Sequence, residues 1–203
     1  MKQLVVTGIG TEVGKTYVSA VLVAGLGAKY WKPIQSGLDY ATDAARIRKW
    51  LDLPDERFIP SVYELSRPES PHSAAAADGV VINSKALALP NISGNLIIEG
   101  AGGVMVPLSE HLWYIDILEM WRLPIVLVID GYLGCINHSL LTWEALMKRG
   151  IKVEGIIFNR VQSDSAAEYI LKSTGAKVLG YLPYNKMFQN EEFKACFDEH
   201  ISL

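Results

Sequence analysis

Residues 3–16 read QLVVTGIGTEVGKT and run directly into YVSAVLVAGL at 17–26. Gln3–Thr7 is a short apolar run rich in β-branched residues, and Lys15–Leu26 has the length and composition of a helix. Between them stand Gly8, Gly10 and Gly14, with Lys15-Thr16 closing the loop. Strand, glycine loop, Gly-Lys-Thr and helix together form the setting of a phosphate-binding Walker A loop. Successive backbone N–H groups there make an anion nest, and the helix N-terminus adds a partial positive charge. Lys15 is placed to reach terminal phosphates, and the Thr16 hydroxyl to ligate Mg²⁺. The interval from Gly8 to Gly14 is one residue longer than the G-x-x-x-x-G-K-T spacing. A strand-to-helix turn needing glycine for backbone reasons alone leaves the Lys-Thr pair unexplained.

Outward from this loop, short apolar runs alternate with helical segments. Lys29–Ile34 reads as a strand stopping at Pro33, and Thr42–Leu51 as an amphipathic helix. Asn95–Glu99, Ile125–Asp130, Val153–Asn159 and Lys177–Leu182 read as strands, and Asn137–Lys148 and Asp164–Ser173 as helices. Alternation of this kind with near-continuous apolar strands predicts an α/β fold, a P-loop NTPase-like parallel sheet covered by helices on both faces. Pro54–Pro90 is the least regular stretch and reads as excursions on the sheet's rim, so residues 1–203 are expected to form one domain. At roughly 150 residues per domain the length agrees. Open sheets of this class bind ligands beyond the carboxyl ends of their strands, so functional residues are expected just after the apolar runs.

Composition narrows the function further. Nineteen Lys+Arg against 22 Asp+Glu give a net charge of −3, which argues against a nucleic-acid footprint. Cys135 and Cys196 are the only cysteines, too few for a disulfide framework or a cysteine zinc site. The N-terminal residues lack the pattern of a secretory signal. The uncharged stretch Thr16–Ala28 falls short of the roughly 18 apolar residues of a membrane span. A soluble cytoplasmic protein with no membrane partner is the expectation.

Other strand ends supply chemistry. A carboxylate beside Thr16 would complete a Mg²⁺ site, and two candidates end apolar runs: Glu99 after NLII and Asp130 after IVLVI. Asp130 fits the plain Walker B pattern better, whereas Glu99 is followed by a flexible Gly-Ala-Gly-Gly turn. The residues alone leave this choice open. Lys32, just before Pro33 in an apolar stretch, is either a surface lysine with a buried stem or a group stabilising a transferring phosphoryl. Ser70-Pro71 starts a helix over Ala74–Ala77 with Ser70 as its cap, and His72 as a base is the lesser reading.

GIGTEVGKT (8–16), KPIQSG (32–37), Asp43 ahead of a helix, SPHSAA (70–75), EGAGGVMVPL (99–108), LGCINH (133–138) and IIFNRV (156–161) occur in this order. In this combination the chain resembles the dethiobiotin synthetases, over most of its length. The resemblance implies a homodimer that uses 7,8-diaminopelargonic acid, CO₂ and MgATP. One amine becomes a carbamate, ATP phosphorylates it, and the neighbouring amine closes the ureido ring, releasing phosphate. It implies that Gly10, Thr11, Glu12, Val13, Gly14, Lys15, Thr16 and Tyr17 bind the nucleotide's phosphates, with Thr11 near both substrates. Thr16, Asp43 and Glu99 would hold Mg²⁺, and Lys32 would lie beside the carbamate and the transferred phosphoryl group. Ser36, Gly102 and Gly103 would meet the diamine. Gly134, Cys135, Ile136 and Asn137 would bind its far carboxylate from the partner subunit, as an anion at a helix start. Asn159 would read adenine's edge, with the stretch around Pro183 passing the base. Gly10 replaces a loop aspartate frequent in the family, and Arg160 replaces an acidic residue.

Two other classes share the fold. A partitioning-type ATPase switch would carry a second lysine early in the loop, where this chain has Gly10. A cobyrinic acid synthase relative would need a glutaminase domain, for which these 203 residues leave no room.

Overall fold

In a computed structural model the described residues are 1–38, 41–161, 164–183 and 189–203. β1 (Gln3–Gly8) leads to α1 (Lys15–Leu26), β2 (Lys29–Trp31), β3 (Ile34–Ser36) and α2 (Asp43–Leu51). β4 (Phe58–Ile59), β5 (Tyr63–Leu65) and α3 (Pro71–Ala77) follow, then β6 (Leu96–Gly103) and α4 (Tyr114–Trp121). The chain continues through β7 (Ile125–Asp130), α5 (Cys135–Lys148), β8 (Val153–Asn159), α6 (Asp164–Thr174), β9 (Val178–Leu182) and α7 (Glu191–His200).

Seven strands form one sheet in the order β4-β2-β6-β1-β7-β8-β9, and every pairing is parallel. The alternating side chains of β1 explain why the run is apolar throughout. Leu4 and Val6 enter one core with α1, α2, α6 and α7, and Val5 enters the other with α3 and α4. A strand buried on both faces has no solvent side to make polar. α1 lies inside the first core, with Val18 and Ala20–Val23 fully buried. It ends at Gly27, whose φ of 59° lets its N–H return to the Val23 carbonyl.

Three readings need correction. Lys29–Ile34 is two strands, not one. Pro33 has no N–H to continue the ladder, so the chain leaves the main sheet after Trp31 and Ile34–Ser36 pairs with β5 in a separate two-stranded sheet. The Pro33 carbonyl accepts from both Val62 and Tyr63 N–H groups and fixes that departure. Pro54–Pro90 is also more ordered than a rim excursion, since it supplies edge strand β4, β5 and α3. α5 begins two residues before Asn137, at Cys135.

The apolar-run reading passed over α7. Phe197 fills the space over Gly25 of α1, where a Cβ would come within 1.9 Å of its ring. Tyr17, Trp50 and Phe193 meet as an aromatic cluster with centroids 5.5–6.4 Å apart. The Asn190 N–H donates to the Trp50 carbonyl at 2.7 Å. α7 thus holds the start of α1 and the end of α2 together.

Candidate active site

The loop between β1 and α1 is built for an anion. Glu12 and Gly14 both take left-handed conformations, with φ of 59° and 91°. Alternation of this kind turns successive N–H groups toward one side. Gly14 caps α1 with no side-chain bond, leaving the helix's first N–H groups to another partner. A side chain at Gly14 would collide with the Asn159 amide, 2.1 Å from the Cβ position. Lys15 is buried and donates to the Gly10 carbonyl at 2.7 Å. Burial lowers its pKa to about 8, partly countered by the Glu99 charge.

Behind the loop sits a buried charge cluster. Glu99 is 1% exposed. One of its oxygens accepts from Thr16 Oγ1 at 2.8 Å and from Lys32 Nζ at 3.0 Å, and the other from the Tyr30 hydroxyl at 2.9 Å. Lys32 Nζ also donates to Asp43. Burial alone would push the Lys32 ammonium down, but Glu99 and Asp43 outweigh it and its pKa is raised. Burial pushes Asp43 up, and the Lys32 charge and hydrogen bond reverse this to a net lowering. Burial and the neighbouring Glu99 hold the Tyr30 hydroxyl well above its ordinary value. The Asp43 N–H, at the start of α2, donates to Gln35 Oε1 at 3.2 Å, which ties that helix to β3.

Two cavities meet at this cluster and share Thr11, Glu12, Lys32, Asp43 and Gly102. One, of about 350 Å³, is walled by Gly14, Lys15, Thr16, Tyr17, Arg46 and Glu99. The other, of about 420 Å³, is walled by Gln35, Ser36, Glu69, Ser70, Pro71 and Val106. Lys32 therefore stands on the common wall. Gly102 has φ of 63°, and a Cβ there would come within 2.7 Å of Val106, so the residue must be small. Gly103 pairs with Gly8 and packs beside Gly10. The Ser36 hydroxyl is buried with no hydrogen-bond partner, on a residue that lines the second cavity. A larger cavity, about 690 Å³, lies by Gly27, Leu51 and Arg57 at the other end of α1, away from this chemistry.

Several expected residues stand apart. Gly134, Cys135, Ile136 and Asn137 form the start of α5 and line neither cavity. Cys135 is buried, and Asn137 is exposed. Asn159 packs on the loop, its Nδ2 donating to the Val13 carbonyl at 2.9 Å. Pro183 is half-buried after β9, and the following residues 184–188 lie outside the described ones. Ser70 occupies the N-cap position of α3, but its hydroxyl pairs with His72 Nδ1 at 2.9 Å instead of capping the helix. Of the two acids that close apolar runs, Glu99 accepts from the Thr16 hydroxyl, whereas Asp130 pairs with Arg160.

Three site residues escaped the sequence reading. Tyr30 lies two positions before Lys32, the spacing that puts both on one face of a strand. Arg46 lies three positions after Asp43, on the same side of a helix. Arg160 stands out in the sequence only as a departure from the family pattern; its contact with the Glu12 carbonyl, 148 residues away in the chain, leaves no local sign.

The family model described as AAA domain matches residues 2–192. The chain is 43% identical over 199 residues to the ATP-dependent dethiobiotin synthetase BioD of Rhodopseudomonas palustris, covering 98% of this chain and 94% of that protein. To its namesake in Bradyrhizobium diazoefficiens it is 45% identical over 200 residues, with the same coverage. The fold is similar to that of the cell division ATPase MinD of Pyrococcus furiosus, with a TM-score of 0.58 at 15% identity, over 91% of this chain and 84% of that one. It is also similar to a ParA family ATPase from Chlorobium tepidum, with a TM-score of 0.56 at 12% identity, over 91% and 85%. At such identities these structures speak to the fold alone, while the near-full-length sequence matches decide the family. With a phosphate loop, a buried Lys-Asp-Glu cluster and two adjoining cavities behind those matches, the chain belongs to the ATP-dependent dethiobiotin synthetases.

Proposed function

We propose that this protein is the ligase that closes the ureido ring of dethiobiotin from 7,8-diaminopelargonic acid, CO₂ and ATP. The observation that carries the reading is Lys32, buried on the wall between a cavity with a phosphate loop and a second, neighbouring cavity. A carbamate is a weak nucleophile, so the enzyme's task is alignment with the γ-phosphate and neutralisation of accumulating charge. An amine nitrogen attacks CO₂ and loses a proton, giving the carbamate. A carbamate oxygen attacks the γ-phosphorus and ADP leaves. The second amine then attacks the carbonyl carbon of this mixed anhydride, loses its proton, and phosphate departs. Lys15 and the loop N–H groups bind the phosphates, and Lys32 spans the carbamate and the phosphoryl group in transit. Thr11 lies where the two substrates meet, and Ser36 with Gly102 and Gly103 receives the diamine.

The donor set fits a magnesium ion. Among the described residues no three His, Cys, Asp or Glu cluster as a metal cage. Thr16, Asp43 and Glu99 nevertheless offer a hydroxyl and two carboxylates, the hard oxygens Mg²⁺ takes alongside phosphates and water. Bound there, Mg²⁺ supplies charge neutralisation on the phosphate oxygens.

The same reading makes the protein a cytoplasmic homodimer, with the start of α5 reaching the partner's site. Supporting it, the N-cap is a glycine, which leaves the first N–H groups of α5 without a side-chain cap, and Leu133 just before the helix and Leu141 and Met147 within it are exposed. Among the described residues no helix is long and apolar enough to cross a membrane. Asn137→Ala is expected to raise KM for the diamine about tenfold, a magnitude of one charged hydrogen bond, and to leave KM for ATP unchanged. Equal effects on both would remove the carboxylate role. Asn159 and Pro183 belong to the base end in this reading.

The primary test is phosphate release from MgATP with and without the diamine and bicarbonate. Release requiring both, with a ureido product by mass spectrometry, is expected. Release indifferent to the diamine would leave an ATPase of another kind.

A further inference from the structure

Glu12 is a non-glycine residue in a left-handed conformation, at φ 59°. Such a conformation is strained for a residue with a side chain and persists where its surroundings over-determine it. Its carbonyl is held from outside the loop: Arg160 Nη2 donates to it at 2.7 Å. The guanidinium is itself pinned by Asp130, with Nε on Oδ1 at 3.0 Å and Nη2 on Oδ2 at 2.5 Å. Asp130 Oδ1 in turn accepts the Gly131 N–H at 2.9 Å. One residue along, Asn159 Nδ2 takes the next loop carbonyl, that of Val13, at 2.9 Å. Consecutive residues at the end of β8 thus hold consecutive carbonyls of the phosphate loop.

The consequence follows from peptide planarity. In a trans peptide the C=O and the following N–H point in opposite directions, and no peptide bond described here is cis. Fixing the Glu12 and Val13 carbonyls toward β8 therefore turns the Val13 and Gly14 N–H groups the other way, into the nest. We infer that Arg160, braced by Asp130, is a positioning residue that pre-shapes the phosphate loop for polyphosphate, acting on the loop's backbone and not on the nucleotide base. Lysine cannot replace it fully, since one ammonium does not match the planar fork that meets Asp130 and the carbonyl together. The inference rests on the phosphate-binding part of the proposed function and on none of its diamine chemistry.

The test uses inorganic tripolyphosphate, which has phosphates and no base. Dissociation constants for MgATP and for tripolyphosphate are measured on the wild type, Arg160→Ala, Arg160→Lys and Asp130→Asn, with KM for the diamine alongside. Arg160→Ala is expected to weaken both ligands by the same factor, about tenfold, with KM for the diamine within twofold of wild type. Arg160→Lys and Asp130→Asn are expected to fall in between. Weakened ATP with unchanged tripolyphosphate would assign Arg160 to the base and overturn the inference, as would no change in either. A parallel loss of diamine affinity across all three variants would mark a general packing role and overturn it too. Wild-type protein that binds neither ligand would defeat the phosphate-loop reading itself.

Discussion

Glu99 and Asp130 occupy the strands on either side of β1, which carries the phosphate loop. Both end apolar runs, and both look like metal carboxylates in the sequence. Their surroundings differ completely. Glu99 is buried and collects Thr16, Tyr30 and Lys32. Asp130 lies at the rim and pairs with an arginine whose side chain is 42% exposed. An acid that closes an apolar run is thus only a position, and its role is set by what the neighbouring strands deliver. β2 brings Tyr30 and leads to Lys32 beside Glu99, while β8 brings Arg160 beside Asp130. In the function and the inference proposed above, one side of the loop supplies chemistry and the other scaffolding.

The sharpest way to break this contrast is to remove the cation from each pair. Lys32→Met leaves buried Glu99 and partly buried Asp43 without their shared cation and should destabilise the protein by about 3 kcal/mol. Arg160→Met removes an arginine that is 42% exposed from a partly buried Asp130 and should cost less, about 1 kcal/mol. Denaturant midpoints with unchanged slopes measure both, and similar losses would erase the distinction. Next in size, Glu99→Gln should lower kcat about a hundredfold, the scale of one lost electrostatic group at a reacting phosphoryl, and weaken the response to added Mg²⁺. Asp130→Asn should leave kcat within about twofold and change chiefly ATP affinity. The reverse pattern in steady-state kinetics would exchange the two assignments.

A smaller effect comes from pH. The Lys15 pKa of about 8 belongs to the nucleotide-free protein, and bound phosphates favour the ammonium. Binding therefore takes up a proton above that pKa, and ATP affinity should fall about fivefold from pH 8 to pH 9, then about tenfold per unit. Stability of the free protein moves the opposite way. Unfolded Lys15 titrates at 10.5 and folded Lys15 near 8. The unfolded chain thus binds more protons between those values, and this residue's contribution to stability rises with pH across that window. Calorimetry showing flat affinity to pH 10 would mean that Lys15 is not desolvated in the free state.

Much of this was legible from local pattern. α1, β7 and β8 have the boundaries their apolar runs and flanking residues predict, because propensity and burial agree there. Lys15, Thr16, Lys32 and Glu99 stand out as candidates from their own surroundings in the chain, and Asp43 through the family resemblance alone. Their mutual contacts do not stand out, since Thr16 meets Glu99 across 83 residues of chain. The departure at Pro33 was half visible: the proline marked a stop, but a new sheet beyond it depended on β5 as partner. Arg160 was read only as a departure from the family pattern, because nothing within a few residues reveals that its side chain grips Glu12.

The docking of α7 has a consequence for how the protein is made. Asp43 leaves the ribosome early, yet Trp50, at the end of its helix, finds Phe193 and the Asn190 N–H only after all nine described strands have been translated. Domains whose contacts join distant parts of the chain cannot settle until both parts exist. The nascent chain therefore carries α1, an apolar helix, without the cover it will have in the finished fold. A stalled or shortened translation product is a client for chaperones, and a stop codon before residue 191 should remove soluble protein as well as activity.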